Sequence, residues 1–148
     1  MADLILRQAG THDADRIRSL LERSDLPTSD LETARPLFVV AVGADRIIGA
    51  GALQRFGPTA LLRSVVVESD SRGTGVGAAL VKELERHATA LGITALVLLT
   101  ETAQAFFERQ GYRIIERSAV PTEVQQCAEF RSLCPASATC MKKALTQP

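Results

Sequence analysis

A chain of 148 residues has room for one domain, residues 1–148, burying about two thirds of the surface that its unfolded form exposes. Apolar residues make up 46% and charged residues 23%, which excludes a disordered chain and predicts one packed core. Seventeen basic and seventeen acidic side chains cancel, so no global field draws the polyanionic backbone of DNA or RNA, and nucleic acid is not an expected partner.

Residues 1–7 carry no basic leader ahead of an apolar core, and no apolar run approaches the roughly 20 residues of a membrane span. A cytoplasmic protein with no membrane partner is the simplest reading. Residues 4–7 read as a first strand. Thr11 can cap a helix whose first turn carries Asp13 and Asp15, with Ile17, Leu20 and Leu21 as its apolar stripe. Pro27 and Ser29 interrupt that pattern, and residues 28–35 read as a loop or a short second helix.

Two apolar runs, 38–42 and 46–54, flank Gly43-Ala44-Asp45 and predict an antiparallel hairpin. Gly49 and Gly51 weaken the second strand or mark a bulge. After Phe56-Gly57-Pro58, residues 61–67 are rich in β-branched side chains and apolar on both faces, as a central strand is. The glycine-rich stretch Arg72-Gly73-Thr74-Gly75-Val76-Gly77 then opens an amphipathic helix, with Val76, Ala79, Leu80, Leu84, Ala88 and Leu91 on one face and Gly92 at its end. A buried strand over 93–99 follows. Strand, helix and strand in this order close as a right-handed parallel unit, which puts the glycine turn at the carboxyl end of the first strand. There, helix N–H groups without partners form a cradle for phosphate oxygens, with the charge of Arg72 beside it. The stretch lacks the Gly-Lys-Ser/Thr ending of a Walker loop and does not follow the first strand, as a dinucleotide fingerprint would.

Beyond this unit the pattern predicts a short helix that starts at Thr100 or Glu101, bears Ala103, Phe106 and Phe107 and is stopped by Gly111, then a strand over 112–116, a short helix over 123–127 and a closing strand over 138–141. His12 and His87 stand apart, without metal-ligand spacing, and no metal site is expected. Cys127, Cys134 and Cys140 are odd in number and widely spaced, which predicts reduced, packing thiols rather than a disulfide framework or a metalloid site.

Arg72-Gly73-Thr74-Gly75-Val76-Gly77, the preceding Ser64-Val65-Val66-Val67 and the later Phe106-Phe107-Glu108-Arg109-Gln110-Gly111-Tyr112 together resemble the GNAT N-acetyltransferases. Narrower stretches, 61–65, 98–103 and 129–138, resemble the branch named for arsenic resistance. The resemblance implies an α/β GNAT fold, a mixed central sheet with splayed parallel strands flanked by helices. It implies acetyl-CoA as the acetyl donor and the primary amine of an amino acid or similar small molecule as acceptor. Pantetheine would pair with backbone at Val65 and Val67, a backbone N–H near Val66 or Val67 would meet the oxyanion, and the N–H groups from Arg72 through Gly73, Thr74, Gly75, Val76 and Gly77 would hold the pyrophosphate.

Many GNAT enzymes carry an acid near the start of the central strand, where Leu61 and Leu62 stand here. Glu101 and Glu68 are the carboxylates left to act as base, directly or through water. The position of a Tyr general acid in many relatives holds Phe107. Arg63, with Ser64 beside it, is expected to orient the acceptor; a guanidinium in an apolar strand needs a partner, either an anionic group of the substrate or Glu68 or Glu101 in an ion pair. A noncatalytic acyl-CoA sensor or thiol-based metalloid sensor on the same fold is the alternative. The tail beyond Pro121 suits a monomer or a homodimer equally.

Overall fold

The computed structural model describes residues 4–145, so part of the segment read for a leader, residues 1–3, and the closing 146–148 lie outside the described residues. Strands β2 (Leu37–Gly43) and β3 (Arg46–Phe56) form the predicted hairpin. Its two turn residues, Ala44 and Asp45, both take positive φ, 52° and 62°, the backbone that matches a two-residue turn to the twist of its strands. β1 (Ile5–Gln8) pairs with β2, and β4 (Thr59–Val67) returns along β3. β5 (Ala95–Thr100) lies parallel to β4, and β7 (Thr139–Ala144) lies antiparallel to β5 with the short β6 (Arg113–Ile114) outside it. The result is a seven-stranded mixed sheet in the order β1-β2-β3-β4-β5-β7-β6.

Because successive strand residues face opposite sides, the sheet has two apolar faces. On one, Val76, Leu80, Val81, Leu84 and Ala88 of α3 (Val76–Ala90) pack on Val39, Ala41, Leu62, Leu96 and Leu98. On the other, Ile17, Leu20 and Leu21 of α1 (Ala14–Arg23) pack on Val40, Ile47, Ala50 and Val66. Further along, Leu61 and Val97 meet Val120, Val124, Cys127 and Phe130 from the segment between β6 and β7, which includes α5 (Thr122–Gln125). Among the described residues no helix is long and apolar enough to cross a membrane.

Two sequence expectations change and one is sharpened. Thr11 does not cap the first helix; it opens a 3-10 turn, Thr11–Asp13, in which the Asp13 carboxylate accepts the Gly10 N–H at 2.8 Å. The bulge expected at Gly49 or Gly51 stands on β3 beside Gly49, where Ala41 faces Gly49 and Val42 faces Ile47 with Ile48 extra. A second lies on β4 opposite Gly51, where Ala52 faces Arg63 and Ala50 faces Val66, so Ser64 and Val65 share one place and Ser64 takes a φ of 57°. The strand expected over 112–116 shrinks to β6, because Tyr112 turns inward and its N–H closes the preceding α4 (Gln104–Arg109) on Phe107 O. Residues 28–35 resolve into a turn and the one-turn α2 (Leu31–Ala34).

Candidate active site: a cleft where two parallel strands part

β4 and β5 are paired only from Thr59 opposite Ala95 to Leu61 opposite Val97. Both strands continue, β4 to Val67 and β5 to Thr100, with no further pairing between them. A cleft of about 790 Å³ opens there, lined by Val65, Val66 and Val67, by the glycine turn at Arg72, Gly73, Gly75 and Gly77, by the end of α1, and by Phe106 and Phe107 of α4.

The Glu68 N–H reaches back to Ile48 O of β3 at 2.7 Å. Strand alternation therefore turns the N–H groups of Val67 and Val65 the other way, into the gap, and that of Val66 toward β3. This revises the place of Val66, which borders the cleft without offering it a donor.

The turn itself supplies donors in series. Among the described residues, no acceptor is paired with the backbone N–H groups from Gly73 to Ala78. Gly75 stands at the N-cap of α3 with φ 88°, a backbone that residues with a Cβ avoid, and a Cβ added there would meet nothing within 4 Å. A Cβ on Gly77 would come within 3.3 Å of the Phe106 ring, a tight contact that would push the ring by a few tenths of an ångström. The Thr74 hydroxyl bonds Ser71 O inside the turn. Arg72 braces it from outside, donating to Val67 O at 3.1 Å and to the Ser24 hydroxyl at 3.3 Å.

Arg63 lies buried at the mouth of the gap, two residues past Leu61. Its partners are neither Glu68 nor Glu101. Asp30, from the turn before α2, grips Nη1 and Nη2 at 2.6 Å each; Gln54 accepts from Nη1 at 2.9 Å; Nε faces Glu129 at 3.2 Å and the Ser64 hydroxyl at 3.4 Å. Asp30 is held below the usual carboxylate range by those hydrogen bonds. Glu129 is pushed above it by burial, which outweighs Arg63. Neither Asp30 nor Glu129 was singled out by its type or spacing, since 33 and 66 residues separate them from Arg63 and only the fold brings them together.

Glu68 is engaged elsewhere. Arg46 and Arg16 both bind its carboxylate, Arg16 at 2.8 Å, and the Arg46 hydrogen bond above all keeps it below its ordinary range. Glu101 is exposed just past the end of β5, where the Thr100 hydroxyl accepts the Ala103 N–H at 3.0 Å and starts the turn into α4. Phe107 packs edge-on against Phe106 and Tyr112, and it has no proton to give. Tyr112 is buried with its hydroxyl donating to Glu85 at 2.9 Å, and burial raises its pKa. His12 is exposed, and His87 faces Glu83 on α3; both lie outside the cleft lining. Among the described residues no group of His, Cys, Asp and Glu is arranged to hold a metal.

Residues 34–114, more than half of the chain, match the acetyltransferase (GNAT) domain. The chain belongs to the GNAT family. Its fold is also that of solved acetyltransferases. Rv2747 of Mycobacterium tuberculosis, solved in complex with CoA, is 26% identical over 96% of this chain and 99% of its own, with a TM-score of 0.81. The N-acetylglutamate synthase of Neisseria gonorrhoeae, complexed with coenzyme A and N-acetyl-glutamate, is 18% identical with a TM-score of 0.84. The match covers 99% of this chain, which spans only 36% of that enzyme. The ribosomal-protein-S18-alanine N-acetyltransferase of Escherichia coli is 17% identical over 99% of this chain and 96% of its own, with a TM-score of 0.74. In this GNAT chain the splayed strands and the glycine turn fall inside the matched region, whereas Glu129 and the tail follow it.

Proposed function

We propose that this GNAT protein moves the acetyl group of acetyl-CoA to the primary amine of an amino acid or amino-acid-like small molecule, acting as a single domain in the cytoplasm. The observation that carries this reading is the series of unpartnered N–H groups from Gly73 to Ala78 at the open end of the strand gap. Gly73, Thr74 and Gly75 are exposed and Val76, Gly77 and Ala78 buried or half-buried, so the series runs from solvent to the helix start, and a diphosphate supplies several acceptors to it at once. Arg72, Gly73, Thr74, Gly75, Val76 and Gly77 hold that diphosphate. The N–H groups of Val65 and Val67 face the gap, where an extended pantetheine arm pairs with them in place of the missing strand.

The bound donor supplies the reactive thioester. The chain's own part is to fix its carbonyl and the amine within reach of one another, which can remove roughly 7 to 11 kcal/mol of a bimolecular barrier. The N–H of Val67 or Val65 is aimed to stabilise the oxyanion as it forms. Arg63 and Ser64 mark the acceptor side of the gap. A carboxylate must take the proton from the ammonium form of the acceptor. Of the two sequence candidates, Glu68 is occupied by two arginines, and Glu101 is exposed past the end of β5 and not among the residues that line the cleft, so neither is given the role.

The resemblance of residues 61–65, 98–103 and 129–138 to the arsenic-resistance branch makes a link to that resistance part of the proposal. Growth of an arsenic-sensitive host expressing the chain, with a Gly75 variant as control, tests it. The activity itself is tested by release of free thiol from acetyl-CoA across a panel of amino acids. Thiol release dependent on one or a few acceptors is the expected result, and none with any acceptor contradicts it.

A further inference from the structure

We propose that Glu129 is the group that takes the proton from the acceptor's ammonium, with Arg63 as its positioning residue. The inference rests on the transferase reading above. Four observations converge on this carboxylate.

Its place is the first. Glu129 Oε2 lies 3.2 Å from Nε of Arg63, which sits between Leu61, the last β4 residue paired with β5, and Val65, which lines the cleft. Leu61 packs in the same apolar cluster as Cys127 and Phe130, the neighbours of Glu129. Where relatives by resemblance carry an acid on the strand, this chain has leucine and brings a carboxylate to the same face from the segment opposite.

The second is a count of hydrogen bonds. Two carboxylates surround one guanidinium, and they are not treated alike. Asp30 receives two short bonds from Nη1 and Nη2, while Glu129 meets Arg63 through one ion-pair contact at Nε, which donates to the Ser64 hydroxyl, and among the described residues otherwise accepts only the weak Cys134 thiol. Asp30 is the committed counter-ion and Glu129 the under-compensated one. Their environments push their proton affinities apart, Asp30 down through the Arg63 bonds and Glu129 up through burial, the pattern that separates a spectator carboxylate from a base.

The third is the backbone. Glu129 begins a π-helical turn, Glu129–Leu133, a form that is rare and often found at functional sites. Opposite it, Ser64 holds a left-handed conformation beside Arg63.

The fourth is the surroundings. The charged and titratable groups that face Glu129 are Arg63 from β4, Asp30 from the turn before α2, and Cys127 and Cys134 from its own segment. Cys134 is a neutral neighbour that bonds the carboxylate, its thiol pushed up to about 12 by burial and by Glu129. No second base competes inside the cluster, since Asp30 is spent on Arg63. Only 4% of Glu129 is exposed, and neither it nor Arg63 lines the cleft, so the turn that carries Asp30 must open to admit the acceptor.

The step balances without a further reactant. An ammonium proton passes to a Glu129 carboxylate oxygen, and the freed nitrogen lone pair forms the C–N bond at the thioester carbonyl. The C–S bond then breaks, the sulfur leaves with the second nitrogen proton as free thiol, and Glu129 returns its proton to water.

The test compares Glu129→Gln with Glu101→Gln, using the best acceptor of the amino-acid panel, with thermal melting and CoA calorimetry as controls. E129Q is expected to lower kcat at least 100-fold at neutral pH while CoA affinity stays within twofold. Raising the pH, or supplying an acceptor amine already neutral at assay pH, restores most of the loss. E101Q stays within threefold of the unaltered protein. A purely structural Glu129 would show no such rescue, so an unrescued loss overturns the proposal, as does E129Q activity within threefold or a rescuable loss in E101Q instead. If E129Q does not fold, Glu129→Asp keeps the counter-charge for Arg63; a tenfold or greater fall in kcat with a moved acid limb supports the proposal, and an unmoved limb overturns it. Absence of thiol release from the unaltered protein, with CoA still bound, fells the transferase reading itself and the base with it.

Discussion

Leu61 lies opposite Val97, and no pair of β4 and β5 residues follows them. All the cleft's chemistry depends on that parting, because it leaves one edge of β4 without a strand and sets the glycine turn at the open end. Replacing Gly75 by valine puts a side chain into open space over the turn and forces a β-branched residue toward φ 88°. We expect CoA affinity to fall at least tenfold by calorimetry while the melting transition stays cooperative. Affinity unchanged from the unaltered protein would contradict the placement of the diphosphate.

Tyr112 is a structural residue, tied through its hydroxyl to Glu85, which Lys143 also binds at 3.1 Å. Tyr112→Phe leaves the Glu85 carboxylate one donor short and should cost about 1 to 2 kcal/mol in denaturant unfolding. Thiol release per folded molecule is expected to stay unchanged. A large fall in kcat without a fall in stability would make this tyrosine a proton donor after all.

Much of this architecture was legible in the sequence because its signals are local. The Ala44-Asp45 turn, the glycine stretch ahead of α3 and the helical spacing from Val76 to Ala88 each act within a few residues, and the fold keeps them. The polar cluster was not legible. Arg63 announced that it needed a partner, but Asp30 comes from a turn whose form the sequence left open, and Glu129 from a π-helical turn that has no simple pattern. Glu68 looked available in sequence because Arg16 and Arg46, its partners, are brought to it only by the packing of α1 and β3. The orientation of the Val65, Val66 and Val67 N–H groups likewise depends on the bulge at Ser64.

Acid should loosen the start of the fold first. The Arg7 hydrogen bond, with help from the Gly10 N–H, holds the Asp13 carboxyl at about 2 against burial. A carboxyl depressed in the folded state contributes stability above its unfolded pKa, and that contribution is lost as pH falls from about 4 toward 2. Asp13→Asn should cost about 2 kcal/mol at neutral pH and flatten the decline in melting temperature over that range. An unaltered acid decline in the variant would assign it to other groups.

The thiols give the sensor reading a direct test. Burial raises Cys127 and Cys140, and Cys134 is pushed up to about 12. At pH 7.5 fewer than about one in ten thousand Cys134 side chains is thiolate, so alkylation by iodoacetamide should be far slower than for a free cysteine. Titration with arsenite should show no stoichiometric binding. Tight binding that alkylation abolishes would favour a metalloid sensor over a transferase.

Backbone amide exchange with and without CoA tests the central claim most directly, since that claim concerns main-chain donors. Slowed exchange is predicted at Val65 and Val67 and from Gly73 to Ala78, with Val66 little changed because its N–H already faces β3. CoA binding that leaves those amides exchanging as before, or that protects a different surface, would contradict the account.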